Sequence, residues 1–207
     1  MQPTNHLTAV LFDFGQVLVA WEPFRAYEAD YSREEFDAFL ARTEFFGEFN
    51  TKQDAGRSFA EARLEFAETH PEDLAFFDRY LSHYEHTIVG PVPGTEEIVA
   101  ELQAAGIKAY GLTNWPEELF PVALARIPAI QRLDGYVVSG VVKVAKPDRE
   151  VFDIAIDTLQ LDPPTTLFVD DHHPNIEAAD ALGFQTHLFT TLAHLRDDLE
   201  SRRVLQQ

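Results

Sequence analysis

The stretch "HLTAVLFDFGQVLVAWEP", residues 6–23, determines how the rest of the chain is interpreted. Its apolar run from Leu7 to Phe12 is continuous rather than alternating, which is typical of a β-strand covered on both faces of a sheet. The run ends on a carboxylate, Asp13, and Phe14 and Gly15 follow. The sequence therefore raises the question of why a buried strand ends on a charge.

Continuous apolar runs recur four times later in the chain, separated by segments with helical periodicity. The runs are "IKAYGL" (107–112), "GYVVSG" (135–140), "TTLFVD" (165–170) and "QTHLFT" (185–190). The helical patterns cover residues 115–127, 147–160 and 175–183, and the tail from residue 194 to 207 predicts a last surface helix. Alternation of strands and helices predicts an α/β fold with a Rossmann-like, doubly wound parallel sheet.

A long segment separates the first strand from the next βα unit, which begins near residue 89. It contains "REEFDAFLARTEFFGEF" and "SFAEARLEFAE", in which aromatic and apolar residues recur at helical spacing. The sequence therefore predicts a core domain of residues 1–19 and 88–207 and a small helical cap domain of residues 20–87 inserted into it. The phenylalanines of this segment are expected to form the core of the cap.

Composition limits the possible functions. The 207 residues contain no cysteine, which excludes disulfides, a thiolate nucleophile and cysteine-ligated zinc, so a metal must be held by oxygen or histidine. The net charge of −19 disfavours binding to nucleic acid or to an anionic membrane. The first ten residues lack the pattern of a signal peptide, so we expect a cytoplasmic protein.

Polar residues cluster where the predicted strands end, which is where parallel sheets bind their ligands. These residues are Asp13 after the first strand, Thr113 and Asn114 after the second, Lys146 in the loop after the third, and Asp170 and Asp171 at the end of the fourth. Taken alone, Thr113 and Asn114 are typical turn residues, and Asp148 is a typical helix-start residue. Two adjacent acids such as Asp170 and Asp171 repel each other unless a cation neutralises them. Magnesium fits, with Asp13 completing the carboxylate set.

Four motifs lie at these strand ends: "DFGQV", "LTN", "KPDREVF" and "FVDDHHPNIEAA", in this order. Together they resemble the motifs of the haloacid dehalogenase (HAD) superfamily. The resemblance is closest to the phosphatase branch that carries a small helical cap after the first strand. Residues 7–19 and 88–190 match the core pattern, whereas residues 20–87 match in position, length and helical character.

The resemblance implies a mechanism and a ligand set. Asp13 would be the nucleophile that forms an aspartyl-phosphate, and Lys146 would neutralise charge at the reacting group. Thr113 and Asn114 would bind the phosphoryl oxygens of the substrate. Mg²⁺ would be held by Asp13, Asp170, Asp171 and the backbone carbonyl of Gly15. The implied substrate is a small phosphorylated metabolite, with a sugar phosphate as one candidate.

The sequence departs from the family pattern at Gly15. Most phosphatases of the superfamily carry a second aspartate two residues after the nucleophile, as general acid and base, and such a group contributes about 10²- to 10⁴-fold in rate. Two alternatives therefore stay open: a 2-haloacid dehalogenase, whose branch also lacks this aspartate, and a weakly catalytic protein that binds a phosphorylated ligand or a partner. The dehalogenase branch needs no metal and usually has a serine-rich fourth strand end, so Asp170 and Asp171 favour phosphate.

Three further features of the sequence have open interpretations. His172 or His173 is a hypothetical replacement for the missing acid, because histidine titrates near neutral pH. Arg25 would contact the substrate or form a salt bridge with Glu22 or Glu28. Asn175 is expected to fix the loop that follows Asp170.

Overall fold

Seven strands form two sheets in the computed structural model, which describes residues 6–205. The strands are β1 (Ala9–Phe12), β2 (Val19–Trp21), β3 (Ile88–Pro91), β4 (Lys108–Thr113), β5 (Gly135–Val138), β6 (Thr166–Asp170) and β7 (Gln185–Leu188). Residues 1–5 and 206–207, which are the outer ends of the predicted core domain and include the end of the predicted last helix, lie outside the described residues.

The helices fall into two groups, of which the first lies between β2 and β3. This group comprises α1 (Arg33–Thr43), α2 (Asn50–Asp54), α3 (Phe59–Thr69), α4 (Leu74–Ser82) and α5 (Tyr84–Thr87). The second group follows β3 and comprises α6 (Thr95–Ala104), α7 (Phe120–Arg126), α8 (Pro128–Arg132), α9 (Ser139–Val142), α10 (Arg149–Leu159), α11 (His173–Ala181) and α12 (Leu192–Ser201). None of the helices within residues 6–205 has the length and apolar character needed to cross a lipid bilayer.

The larger sheet contains the five predicted strands in the order β5-β4-β1-β6-β7, and all of its strand pairs are parallel. Phe12 of the central strand β1 pairs with Gly111 of β4 on one side and with Val169 of β6 on the other. The carboxyl ends of these three strands therefore lie side by side. Asp13 directly follows β1, so it lies in the middle of this edge.

Helices cover both faces of this sheet, which confirms the predicted doubly wound architecture. Val10 and Phe12 of β1 belong to one buried cluster together with residues of α6, α7 and α12. The alternate residues Ala9 and Leu11 belong to a second cluster with residues of α10 and α11. Because successive side chains of a strand point to opposite faces, a strand covered on both sides needs apolar residues throughout.

The predicted helix over residues 115–127 is wrong in its extent. The structure has an irregular segment with a turn at residues 117–119, followed by two short helices, α7 and α8. Pro121 and Pro128 each occupy the first turn of one of these helices. Proline is favoured at a helix start, where no intrahelical N–H bond is needed, and it disrupts a helix interior.

The segment between β2 and β3, which we call the insert, is mainly helical, as predicted. Its helices α1 and α3 each begin with a capping box, formed by Ser32 with Glu35 and by Ser58 with Glu61. Its interior consists largely of fully buried phenylalanines, including Phe39, Phe45, Phe66 and Phe77.

A second, antiparallel sheet joins the insert to the parallel sheet. It consists of β2 and β3 and was absent from the sequence-based prediction. These two strands lie at the predicted boundaries of the cap, residues 20 and 87. The division into two domains at these boundaries stays a prediction.

Candidate active site

A buried lysine joins two carboxylates at the centre of the sheet edge. The Nζ atom of Lys146 lies 2.8 Å from Oδ1 of Asp13 and 2.7 Å from Oδ2 of Asp170. It also donates a hydrogen bond of 2.9 Å to the carbonyl oxygen of Leu112, in β4. The side chains of Lys146 and Asp170 are 1% and 0% exposed, whereas that of Asp13 is 12% exposed. Asp13 is thus the member of this trio that is accessible to a ligand.

The electrostatics of the trio leave an excess of negative charge. Burial lowers the pKa of Lys146, but the charges of Asp13 and Asp170 outweigh this effect and raise that pKa overall, so the lysine is a cation. Burial raises the pKa of Asp13 to about 7; Lys146 opposes this increase, and Asp170 adds to it. The pKa of Asp171 is also raised, first by burial and then by Asp170. One lysine therefore faces three carboxyl groups.

Asp170 is held in place by the loop that follows it. Its Oδ1 accepts hydrogen bonds from the backbone N–H of His172 at 2.8 Å and from Nδ2 of Asn175 at 3.0 Å. The same Asn175 amide lies 3.1 Å from Oδ2. Asn175 therefore fixes this loop by binding the Asp170 carboxylate, as expected from the sequence.

The three acids form a group that could hold a metal ion. Asp13, Asp170 and Asp171 each present one carboxylate oxygen, and these oxygens lie within 4.8 Å of one another. Asp170 is buried, whereas Asp171 is exposed at the mouth of the site. An all-oxygen donor set with a surplus of negative charge suits a hard divalent cation. The residues present thus fit the ion that the sequence indicates.

The two predicted substrate ligands differ in their surroundings. Thr113 is fully buried, and its Oγ1 has no hydrogen-bond partner within the described part of the chain. Asn114 lines the cavity at the strand ends, but its side chain binds the backbone of Lys146: Nδ2 donates to the carbonyl oxygen at 2.9 Å, and Oδ1 accepts from the N–H at 2.8 Å. Asn114 therefore positions Lys146, and phosphoryl binding by either residue stays a prediction.

A cavity of about 480 Å³ lies beyond the strand ends, between them and the insert. Asp13, Gly15, Lys146 and Asp171 line one side of it. The aromatic part of the wall comes from strand β2, from the insert and from the loop after β4. It consists of Trp21, Phe46, Tyr80, Tyr84 and Trp115. The cavity therefore combines a charged end with an apolar wall, which is the usual composition of a small-molecule site.

Sequence reasoning missed the polar residues that the insert contributes to the cavity. Asn50, Thr51 and Asp54 come from α2 and line the same cavity as the residues of the strand ends. Their spacing of one and four positions places them on one face of α2. The sequence offers no signal for them, because five residues are too few for helical periodicity and the stretch "NTKQD" (50–54) falls between the two helical patterns.

The remaining candidates have clear placements. His172 lines the cavity, whereas Nδ1 of the exposed His173 lies 3.3 Å from Glu177 on the surface. Arg25 forms an exposed ion pair of 3.1 Å with Glu28, which confirms the salt-bridge interpretation. Asp148 directly precedes α10, but its side chain makes no capping hydrogen bond.

Comparison with characterised sequences finds phosphatases and a dehalogenase. The chain is 29% identical to the N-acetylmuramic acid 6-phosphate phosphatase of Pseudomonas aeruginosa over 123 residues, which cover 59% of this chain and 54% of that protein. It is 28% identical to (S)-2-haloacid dehalogenase 4A of Burkholderia cepacia over 109 residues, covering 53% and 46% of the two chains. The chain thus spans about half the length of the curated relatives it matches.

Comparison with solved structures confirms the fold. A HAD family enzyme from Bacteroides thetaiotaomicron superimposes with a TM-score of 0.73 at 20% identity, covering 92% of this chain and 98% of that one. The family model for haloacid dehalogenase-like hydrolases matches residues 7–183, which is most of the chain. Together with the sheet order and the acids at its edge, this match shows that the chain belongs to the haloacid dehalogenase-like hydrolase family.

Proposed function

We propose that this protein is a Mg²⁺-dependent phosphatase that hydrolyses a small phosphate monoester through an aspartyl-phosphate on Asp13. The observation that carries the proposal is the position of Asp13, which contacts a buried lysine, lies beside two further acids and faces the cavity. Phosphoryl transfer needs mainly a positioned nucleophile and compensation of the phosphoryl charge. This cluster contains residues for both tasks.

The reaction takes two steps at Asp13. In the first, a carboxylate oxygen of Asp13 forms a bond to phosphorus while the bond from phosphorus to the leaving oxygen breaks. In the second, water attacks phosphorus, the bond to Asp13 breaks, and inorganic phosphate leaves. Lys146 balances negative charge at Asp13 in both steps. The Asn114 side chain holds the lysine in position through two hydrogen bonds with the Lys146 backbone. Thr113 and Asn114 are the proposed hydrogen-bonding partners of the phosphoryl oxygens.

Mg²⁺ is the proposed cofactor, held by the carboxylates of Asp13, Asp170 and Asp171 and by the backbone carbonyl of Gly15. When bound, the ion supplies positive charge to the phosphoryl group and neutralises the surplus of carboxylates. A structure of the Bacteroides thetaiotaomicron enzyme contains magnesium and inorganic phosphate, which supports this assignment by likeness of fold. The dehalogenase alternative does not need a site with three acids.

The cavity favours a leaving group that carries little negative charge. Lys146 is the one lysine or arginine among the described lining residues, and two carboxylates already bind it. The rest of the wall combines aromatic rings with neutral side chains such as Asn50 and Thr51. Rings and amides of this kind fit a monosaccharide. The relatives named N-acetylmuramic acid 6-phosphate phosphatases support a sugar phosphate as the substrate class, but the carboxylate of a sugar acid such as theirs is not favoured by this cavity.

The test of the function is metal-dependent phosphate release from a panel of monosaccharide phosphates and an aryl phosphate. We expect release in the presence of Mg²⁺, loss of release with EDTA, and recovery when excess Mg²⁺ is added back. Neutral sugar phosphates should be hydrolysed faster than phosphorylated sugar acids. Halide release from a 2-haloacid without phosphate release from any ester would show that the dehalogenase alternative is correct.

Metal binding should also stabilise the fold, independently of any substrate. A ligand that binds only the folded state at a hundred times its Kd contributes about 2.7 kcal/mol, which raises the melting temperature of a chain of this length by roughly 5 to 10 °C. Differential scanning fluorimetry with and without Mg²⁺ measures this shift. Asp171→Asn should remove most of it, whereas Asp37→Asn, at an exposed ion pair with Arg33, should leave it intact. An equal shift in both variants would place the metal elsewhere.

A further inference from the structure

The structure leaves room at Gly15 but fills it with no acid. A Cβ atom added to Gly15 would meet no heavy atom closer than Oδ2 of Asp13, at 4.0 Å. A general acid and base that the chain itself supplies to the proposed reaction therefore comes from another element. Within the described residues that line the cavity, the carboxylates are Asp13, Asp54 and Asp171, and the proposed mechanism leaves only Asp54 without a role.

Asp54 lines the same cavity as the nucleophile but belongs to the insert. It is the last residue of α2, in the insert, and is half-buried. The hydrogen bonds to its carboxylate within residues 6–205 come from Nδ2 of Asn50, at 3.4 and 3.3 Å to the two oxygens. These contacts are long and therefore weak. A carboxyl group in the substrate cavity with only this neutral partner is available for proton transfer.

We propose that Asp54 is the general acid and base of this enzyme and takes the role of the aspartate that is missing at Gly15. The proposal rests on the proposed phosphatase function. It differs from the usual arrangement in the family, because the proton donor lies on the inserted helices rather than two residues after the nucleophile.

The two steps balance with Asp54 as the proton carrier. As Asp13 bonds to phosphorus, the protonated carboxyl of Asp54 transfers its proton to the leaving oxygen, which departs as an alcohol. The Asp54 carboxylate then accepts a proton from the water that attacks the aspartyl-phosphate. Inorganic phosphate leaves, and both Asp13 as carboxylate and Asp54 as acid are regenerated.

The surroundings of Asp54 support this role. Burial raises the pKa of Asp54 to about 7, the charge of Asp13 adds to this effect, and Lys146 and the Asn50 hydrogen bond oppose it. The other titratable groups among the described residues that line the cavity are Tyr80, Tyr84, Asp171 and His172. The pKa values of the two tyrosines are raised, mainly by burial, so both stay neutral. A group that titrates near neutrality is able both to donate and to accept a proton at the working pH.

The test compares substrates whose leaving groups differ in their need for a proton. We expect Asp54→Asn to lower kcat/KM for a monosaccharide phosphate by about 10²- to 10⁴-fold. For 4-nitrophenyl phosphate the loss should be at least tenfold smaller, because nitrophenolate leaves without protonation. The same variant should show a burst of nitrophenol equal to the enzyme concentration, since breakdown of the aspartyl-phosphate is slowed.

Matched variants separate proton transfer from a structural effect. Asp37→Asn makes the same chemical change on the exposed face of α1 and should leave both substrates unaffected. Asp54→Glu should retain a substantial part of the sugar phosphate activity. Gly15→Asp in the Asp54→Asn background should restore activity on the sugar phosphate at least tenfold, because the site has space for that side chain.

Several outcomes would overturn the proposal. Equal losses on both substrates in Asp54→Asn, with no nitrophenol burst, would indicate a structural role. Unchanged activity in Asp54→Asn together with a selective loss in His172→Gln would assign the acid to the histidine. In both cases phosphate release by the unsubstituted protein would still support the phosphatase, whereas no release from any ester would remove the proposed function and Asp54's role with it.

Discussion

Asp13→Asn is expected to reduce phosphate release by at least about 10⁴-fold, which is the scale of loss seen when a covalent nucleophile is removed. An amide oxygen is a much weaker nucleophile than a carboxylate, and it cannot form the aspartyl-phosphate. Because asparagine keeps an oxygen for the 2.8 Å contact with Lys146, the neighbouring groups should retain their positions. Steady-state phosphate release from the best substrate of the panel measures the loss.

Two controls make this result specific to the nucleophile. Acid quenching during turnover followed by mass spectrometry should find one added phosphoryl group on Asp13 in the unsubstituted protein and none in the variant. Asp157→Asn, at an exposed position of α10, should retain full activity. More than one per cent residual activity in Asp13→Asn, with no trapped phosphoryl group in either protein, would mean that water attacks the substrate directly.

The same variant should be more stable than the unsubstituted protein at high pH in the absence of metal. The folded-state pKa of Asp13 is raised from 3.8 to about 7, mainly by burial, so the folded state holds this proton more tightly than the unfolded state. The unsubstituted protein therefore loses stability through this group as the pH rises from about 4 to 7. The Asp13→Asn variant has no such group and does not lose this stability. Urea titrations at pH 5 and pH 8 should therefore show that its free energy of unfolding, relative to that of the unsubstituted protein, increases with pH.

The sequence was sufficient to predict the parallel sheet and the residues at its edge. The five strands that form it are covered on both faces, so each carries an apolar run that stands out from its surroundings. Once the strands are parallel, their carboxyl ends must meet. The proximity of Asp13, Lys146 and Asp170 then follows from the order of the strands without any knowledge of the insert.

The insert's contribution to the site could not be predicted in the same way. The helix α2 has five residues, which is too short for periodicity to be detected, and β2 has three residues, of which two are only partly buried. The distance in sequence between Asp54 and Asp13 also gives no hint that the two share a cavity. Proximity in sequence to the paired acids therefore favours His172 and His173 as replacement acids, whereas packing of the insert places Asp54 in the same cavity as Asp13.

Lys146 links the stability of the fold to the chemistry of the site. Its ammonium group is enclosed by Asp13, Asp170 and the Leu112 carbonyl, so its removal leaves two carboxyl groups side by side and largely shielded from water. Removal of one partner from a buried ion pair typically costs about 3 to 5 kcal/mol. Loss of a single group that stabilises developing charge typically lowers kcat by about 10²- to 10³-fold.

Lys146→Met should therefore lower the free energy of unfolding by about 3 to 5 kcal/mol. It should also lower the rate of phosphate release by about 10²- to 10³-fold. The loss of stability should be larger at pH 8 than at pH 5, because protonation of one of the two carboxyl groups at low pH relieves their repulsion. Urea denaturation at the two pH values measures this loss of stability. At pH 8, Mg²⁺ should restore part of the lost stability. Lys108→Met, at an exposed ion pair with Asp134, should cost less than about 1 kcal/mol at either pH. Equal losses in the two variants would show that the charge of Lys146 does not offset the repulsion of the acids, and that its role is confined to catalysis.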